Sequence, residues 1–233
     1  MKNTIGKVKK IPEYIRQKLF VVLSKKQLFR RKRVLKNRVK LLTNTDFTLI
    51  ANNCNGCVLL HELGLRFNSQ FVDLSINGPD YVKYLQSFDV YNNMELSFVA
   101  DSSVPYPVGM LGDLRIDFVH YKSEEQAKNK WEERKKRINK DNMFVILTEQ
   151  DECTPECVKA FDNLPFRNKV VFTRRNYSDV KSSVFVRKYE NNPRGVYMFL
   201  EFENRLSIKR NYDVFDFISW FNGETNLSKL MKE

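Results

Sequence analysis

Two short stretches of this chain carry the residue types that chemistry needs. The first is Asn52-Asn53-Cys54-Asn55-Gly56, a polar turn between the apolar run Phe47–Ala51 and the helical run Cys57–Leu63. Such a turn puts a thiol at the C-terminal end of a strand and the N-terminus of a helix. Open α/β sheets bind ligands there, and the positive end of the helix dipole favours thiolate. Cys54 is therefore a candidate nucleophile or positioned polar group. Asn52 and Asn53 are candidate amide donors to a developing oxyanion, and Gly56 completes the turn as a substrate-binding position. The alternative is a buried, inert cysteine in a turn.

The second stretch is Asp117-Phe118-Val119-His120, followed by a helix that contains Trp131, Arg134, Arg137 and Ile138. The chain has two histidines. His61 has mostly apolar helical neighbours and reads as structural. His120 ends a strand just before a helix, a ligand-facing position, and is a candidate general base. Asp117 is a candidate to orient it if the backbone bends between them. Trp131 offers a face for a sugar, and Arg134 and Arg137 offer forks for phosphate or carboxylate. The competing reading is an ordinary amphipathic helix, with Ala127, Trp131 and Ile138 toward the core and its charges in water.

The common signatures are missing. There is no G-x-G-x-x-G, no G-x-x-x-x-G-K-[ST], no G-x-S-x-G and no H-E-x-x-H, which argues against ordinary dinucleotide, P-loop, serine-hydrolase and zinc-protease sites. No D-x-D occurs either. The pairs Cys54/Cys57 and Cys153/Cys157 could bring four sulfurs to one zinc, but their long separation weakens that reading. No metal site is predicted and no cofactor is named.

Around these stretches, apolar runs alternate with helical ones. Phe47–Ala51, Phe71–Leu74, Glu95–Ala100, Leu114–His120, Met143–Thr148 and Lys169–Thr173 read as strands. Helices are predicted at Cys57–Leu63 with Gly64 as its cap, at Pro79–Phe88, at Ser123–Asn139 with a Ser123/Gln126 capping box, and after Thr154-Pro155. The alternation predicts an α/β fold, a mostly parallel sheet built from βα units. Val184–Lys188 and Gly195–Glu203 read as two further strands, and Tyr212–Phe221 as an apolar closing helix.

Charge divides the chain. Residues 1–40 hold 15 Lys or Arg and one acid, Glu13, whereas the whole chain carries a net charge of +12. The basicity belongs to an N-terminal arm, residues 1–40, and not to the α/β body, residues 41–233, in which a subdomain break falls near 89–113. Pro12 and Glu13 read as a helix start. Ile15, Leu19, Val22 and Leu23 form one apolar face, and Leu28, Leu35 and Val39 a second. A basic amphipathic helix lies readily on an anionic membrane surface; the same stripe would equally pack on the protein's own body. With no recognisable nucleic-acid module, no specific nucleic acid is expected as partner. The longest early apolar run, Leu19–Leu23, is far below the ~20 residues of a spanning helix. No secretory signal is seen, so the expected location is the cytoplasm, peripheral to the inner face of the membrane.

Four strings carry a family resemblance: N-N-C-N-G at 52–56, G-P-D-Y-V-K-Y-L at 78–85, N-K-V-V-F-T at 168–173, and the long run from Tyr106 through H-Y-K-S-E-E-Q-A-K-N-K-W-E-E-R-K-K-R-I-N to Asn139. Over roughly residues 25–222 the chain resembles a bacterial family labelled exopolysaccharide biosynthesis protein, a domain of unknown function found with capsule enzymes. In that pattern the position of Cys57 is more often glycine. The resemblance implies a pathway: group transfer or hydrolysis on an activated or lipid-linked sugar, with a sugar or sugar phosphate as substrate. The alternative is a non-catalytic scaffold docked on a membrane-bound synthase.

Overall fold

A computed structural model describes the backbone of residues 13–150 and 152–232, with side chains from residue 24 onward. In chain order the elements are α1 (Glu13–Val39), β1 (Thr48–Ala51), α2 (Asn55–Leu63), α3 (Gly78–Gln86), α4 (Phe88–Asn93), β2 (Ser97–Val99), β3 (Val108–Leu111) and β4 (Leu114–Asp117). Then follow α5 (Glu124–Lys135), β5 (Met143–Thr148), α6 (Pro155–Asp162), β6 (Asn168–Thr173), β7 (Ser183–Phe185), α7 (Phe217–Phe221) and α8 (Leu227–Leu230). The architecture is α/β, with a parallel four-stranded sheet in the order β1-β5-β6-β7 and a small antiparallel sheet β2-β3-β4.

β5 is buried along its whole length, as a parallel strand covered on both faces must be. Its residues alternate between two clusters. Met143, Val145 and Leu147 face one that holds Tyr81, Tyr84, Phe118, Trp131 and Phe161 from α3, α5, α6 and the antiparallel sheet. Phe144 and Ile146 face another that holds Leu35, Leu59, Phe172, Phe215, Trp220 and Phe221 from α1, α2, β6 and the C-terminal segment. The parallel sheet is thus the middle of three layers.

Helix ends follow their local chemistry. Asn77 accepts from the Asp80 N–H at 2.8 Å and Thr154 from the Cys157 N–H at 3.3 Å, with a proline in the first turn of each helix. Gly64, at φ +67°, closes α2 in the left-handed conformation.

Several expected elements differ. Phe71–Leu74 is not a strand. The parallel neighbour of β1 is β5, so the crossover from β1 spans everything from α2 to α5. Its residues alternate badly for a ladder: Phe71, Val72 and Leu74 are all buried, and Asp73 takes φ +60°. Gly195–Glu203 is a series of turns, broken by positive φ at Gly195 and Met198, and Val196 and Phe199 use those turns to enter the core. Tyr212–Phe221 splits into a 3-10 turn, Asn211–Val214, and α7, with Phe215 extended between them.

The arm is helical from Glu13. The stripe Ile15, Leu19, Val22 and Leu23, and Pro12 itself, lie outside the described side chains and residues respectively. In the described part Leu35 and Val39 of the expected stripe do pack on the body, but Leu28 is exposed and the inward face continues instead through Gln27 and Arg31. Arg31 decides this orientation. It is 4% exposed, and its guanidinium meets Glu62 Oε2 at 2.7 Å, Asp213 Oδ2 at 2.5 Å, the Tyr212 hydroxyl at 2.7 Å and the Ile208 carbonyl at 2.8 Å. Arg210 completes the cluster on Glu62 at 2.7 Å. Rotating α1 to bury Leu28 would strand these charges. Arg31→Ala is therefore expected to cost about 3–5 kcal/mol, because it leaves two half-buried carboxylates without their central cation; urea unfolding of the full chain measures this.

Candidate functional site

β1 ends at Ala51, and the chain turns through Asn52 and Asn53 into α2. The Asn53 side chain accepts from the Asn55 N–H at 3.0 Å and fixes the turn. Cys54 is the N-cap residue, with its carbonyl accepting from the Val58 N–H at 3.1 Å. Gly56 is needed for packing, since a Cβ there would lie 2.9 Å from that of Ala51.

The segment 70–77 then passes over this turn. Ile76 N–H donates to the Asn52 carbonyl at 2.9 Å. Ser75 and Asp117 exchange both backbone hydrogen bonds at 2.8 Å, which docks β4 alongside. Beyond β4, His120 N–H donates to the Asp73 carbonyl at 3.3 Å, and the Tyr121 hydroxyl donates to the Val72 carbonyl at 2.9 Å. These bonds carry His120 from the antiparallel sheet to the end of β1.

The result is a cluster of Cys54, Cys57, Asp73 and His120. Cys57 Sγ lies 3.2 Å from the Cys54 carbonyl and 3.4 Å from Asp73 Oδ1. Cys54 Sγ lies 3.8 Å from the Leu74 carbonyl, within electrostatic reach of the Cys57 thiol and of His120. The hydrogen bond from Cys57 pushes the Cys54 thiol down to about 7; burial opposes this and charge on His120 assists it. Cys57 moves the other way, because its proton is held against Cys54 and its site is buried. The pair thus concentrates negative charge on the half-exposed sulfur, beside an exposed imidazole.

The remaining predicted residues hold the structure together. The Asn52 side chain is buried, accepts from the Thr148 N–H at 2.9 Å and donates to its carbonyl at 3.4 Å. It latches β1 to β5 and, at 1% exposed, does not present its amide to a substrate. Asn53 is likewise buried as a cap. Asp117 does not orient His120, because its carboxylate holds Arg115 at 3.0 Å. The acid in the cluster is Asp73. Trp131 is 1% exposed and packs within the core, tilted against Phe71 and edge-on to Phe118, out of reach of any sugar. Arg134 donates to the Tyr121 hydroxyl at 2.7 Å and lies over the Phe67 ring. Arg137 donates to the Phe67 carbonyl at 3.1 Å and pairs with Glu133. His61 is exposed on α2, not held among apolar neighbours.

Asp73 is the residue that sequence reasoning passes over. It sits in a stretch that mimics a strand, and no spacing ties it to Cys57. The signal for it is an acid interrupting the apolar run Phe71–Leu74. Among the described residues, no group of three or more His, Cys, Asp or Glu is arranged to hold a metal ion. The second cysteine pair lies at the start of α6, behind α3, with Cys153 pushed up and Cys157 down by their mutual hydrogen bond.

Comparison with known proteins adds a family to this geometry. Residues 24–222 match the model described as Domain of unknown function (DUF1919). The chain belongs to the DUF1919 family. A relative from Haemophilus influenzae, described as "Uncharacterized protein", is 39% identical over 208 residues, covering 88% of this chain and 97% of its own. The family match spans both halves of the cluster, Cys54 and His120.

The thiol chemistry has a direct readout. Alkylation of Cys54 by iodoacetamide, followed by peptide mapping, is expected to reach half its maximal rate near pH 7, against about 8.5 for an ordinary thiol. Cys57→Ala is expected to raise that midpoint most, and His120→Ala to raise it by less.

Proposed function

We propose that this protein is a thiolate–imidazole enzyme of bacterial exopolysaccharide or capsule biosynthesis, working by group transfer or hydrolysis on an activated or lipid-linked sugar. The observation that carries the reading is the meeting of Cys54 with His120. Cys54 follows a strand of the parallel sheet and His120 a strand of the antiparallel one. The backbone bond from His120 N–H to the Asp73 carbonyl brings them to one end of β1, where the neighbouring thiol and the charge of His120 favour thiolate on the more exposed sulfur. The pathway and the sugar rest on the resemblance of the four sequence strings. Trp131, Arg134 and Arg137 do not contribute, since each is committed inside the fold.

In this reaction the Cys54 thiolate attacks the electrophilic carbon or phosphorus of the donor. The bond to the leaving oxygen breaks, and that oxygen takes a proton from His120. Water or an acceptor hydroxyl then displaces Cys54, and His120 receives its proton. The catalyst ends as it began. Asp73 stands behind Cys57 and keeps that thiol directed at the cluster.

The exposed face of α1 supports a docking of this site on an anionic membrane surface. Lys25, Lys26, Arg30, Lys32, Arg33 and Lys36 are all exposed, and among the described residues none has an acidic partner. Between them Phe29 is 65% exposed, and Leu28, Val34 and Leu41 are exposed as well. A groove of about 550 Å³ beside Leu28, Lys32, Val39 and His61 continues this face onto α2. No helix of the described residues is long and apolar enough to cross a membrane, so the contact is peripheral.

Two measurements test the reading. In a strain deleted for this gene, Cys54→Ala is expected to abolish polysaccharide production and His120→Ala to lower the rate by about 10²–10⁴-fold; normal production from either variant removes the catalytic pair. In vesicle sedimentation, charge reversal at Lys32, Arg33 and Lys36 is expected to weaken binding to phosphatidylglycerol membranes, each residue contributing about 1 kcal/mol. Binding to neutral phosphatidylcholine vesicles is expected to be weak in both forms.

A further inference from the structure

We propose that Cys54 and Cys57 form a working dithiol, which a low-molecular-weight disulfide converts into an intramolecular disulfide that closes the Cys54 nucleophile. The inference rests on the Cys54 thiolate of the proposed function, not on the sugar chemistry.

Three observations carry it. C-x-x-C spacing puts both cysteines in the first turn of α2, where the Cys57 sulfur lies 3.2 Å from the Cys54 carbonyl. Their exposure is unequal: Cys54 is half-exposed, whereas Cys57 is 3% exposed. An external disulfide therefore meets Cys54 first. Finally, Asp73 Oδ1 lies 3.4 Å from the Cys57 sulfur, on a backbone pinned by His120 N–H, so the buried thiol has a base beside it.

The exchange balances with oxidised glutathione as the oxidant. The Cys54 thiolate attacks one glutathione sulfur, the glutathione S–S bond breaks, and the first glutathione thiolate leaves and takes a proton from solvent. Cys57 gives its proton to Asp73, attacks the Cys54 sulfur and expels the second glutathione. Two protein thiols are oxidised, and one disulfide is reduced to two thiols. Because the reduced state has a stabilised thiolate, the protein disulfide is readily reduced again, as a reversible switch requires.

The test uses the full-length protein, reduced, freed of reductant and incubated with oxidised glutathione at neutral pH. Intact mass and peptide mapping are read over time. The wild type is expected to lose two hydrogens, with the new bond joining Cys54 to Cys57. Cys57→Ser is expected to stop with one glutathione held on Cys54. Asp73→Asn is expected to accumulate that mixed disulfide before resolving it. A wild type that keeps its glutathione, that closes only Cys153 to Cys157, or that does not react overturns the proposal. Circular dichroism and the urea midpoint of each variant show that the fold is kept. If the internal disulfide forms but Cys54→Ala still supports polysaccharide production, the dithiol stands and the transfer reading falls. If Cys54 is alkylated at neutral pH but no internal disulfide forms, the dithiol falls alone.

Discussion

The site depends on one strip of backbone, residues 70–77, clamped from both sides. Ile76 binds the Asn52 carbonyl, Ser75 pairs with Asp117, and Asp73 receives the His120 N–H. Each bond is ordinary in strength, and a net hydrogen bond is worth only about 1 kcal/mol. Together they fix the strip against β1 on one edge and the antiparallel sheet on the other. The left-handed conformation of Asp73, φ +60°, turns its carboxylate onto Cys57 while its carbonyl serves His120. An aspartate tolerates that conformation better than most residues. Without the strip, Cys54 and His120 would follow strands of separate sheets with nothing to bring them together.

The parallel sheet contributes the other half of the constraint. β1 and β5 are adjacent although nearly a hundred residues separate them in the chain, and Asn52 locks their ends by taking both backbone groups of Thr148. Asn55 adds a bond to the Thr148 hydroxyl at 2.9 Å. The polar turn that looks like a set of ligand donors is thus spent on positioning. What remains open is the sulfur at its centre. The amides at this sheet end are satisfied within the fold, in keeping with the rule that buried polar groups find partners.

Charge tells a similar story at the arm. The sequence places all of the surplus positive charge in residues 1–40. Burial of Arg31 against Glu62, Asp213 and Tyr212 turns one of those cations into the pin that holds α1 on the body. The cations around it then face outward with Phe29 and Leu28. A hydrophobic stripe read by period alone misses this, because a paired arginine on the inward face outweighs a leucine at its edge. The face that α1 packs and the face that it shows are consequences of one ion cluster.

Much was legible in the sequence wherever local chemistry sets the outcome. The continuous apolar run Met143–Thr148 demands a central buried strand, and β5 has those bounds. Thr154-Pro155, Ser123/Gln126 and Gly64 mark helix ends by capping alone. Cys54 at a strand-to-helix turn and His120 just after a strand follow from the same order of elements. What the sequence could not decide is what a residue faces. Trp131 can stack on a ligand or pack against Phe71, Asp117 can hold an imidazole or Arg115, and Phe71–Leu74 can be a strand or an irregular strip. Each choice depends on partners dozens of residues away, and a one-dimensional pattern carries no such distances. The chain alone determined the elements and the reactive types. Only the packing of two sheets across residues 70–77 decided that Cys54, Cys57, Asp73 and His120 meet, because that meeting is made by long-range backbone bonds and not by spacing.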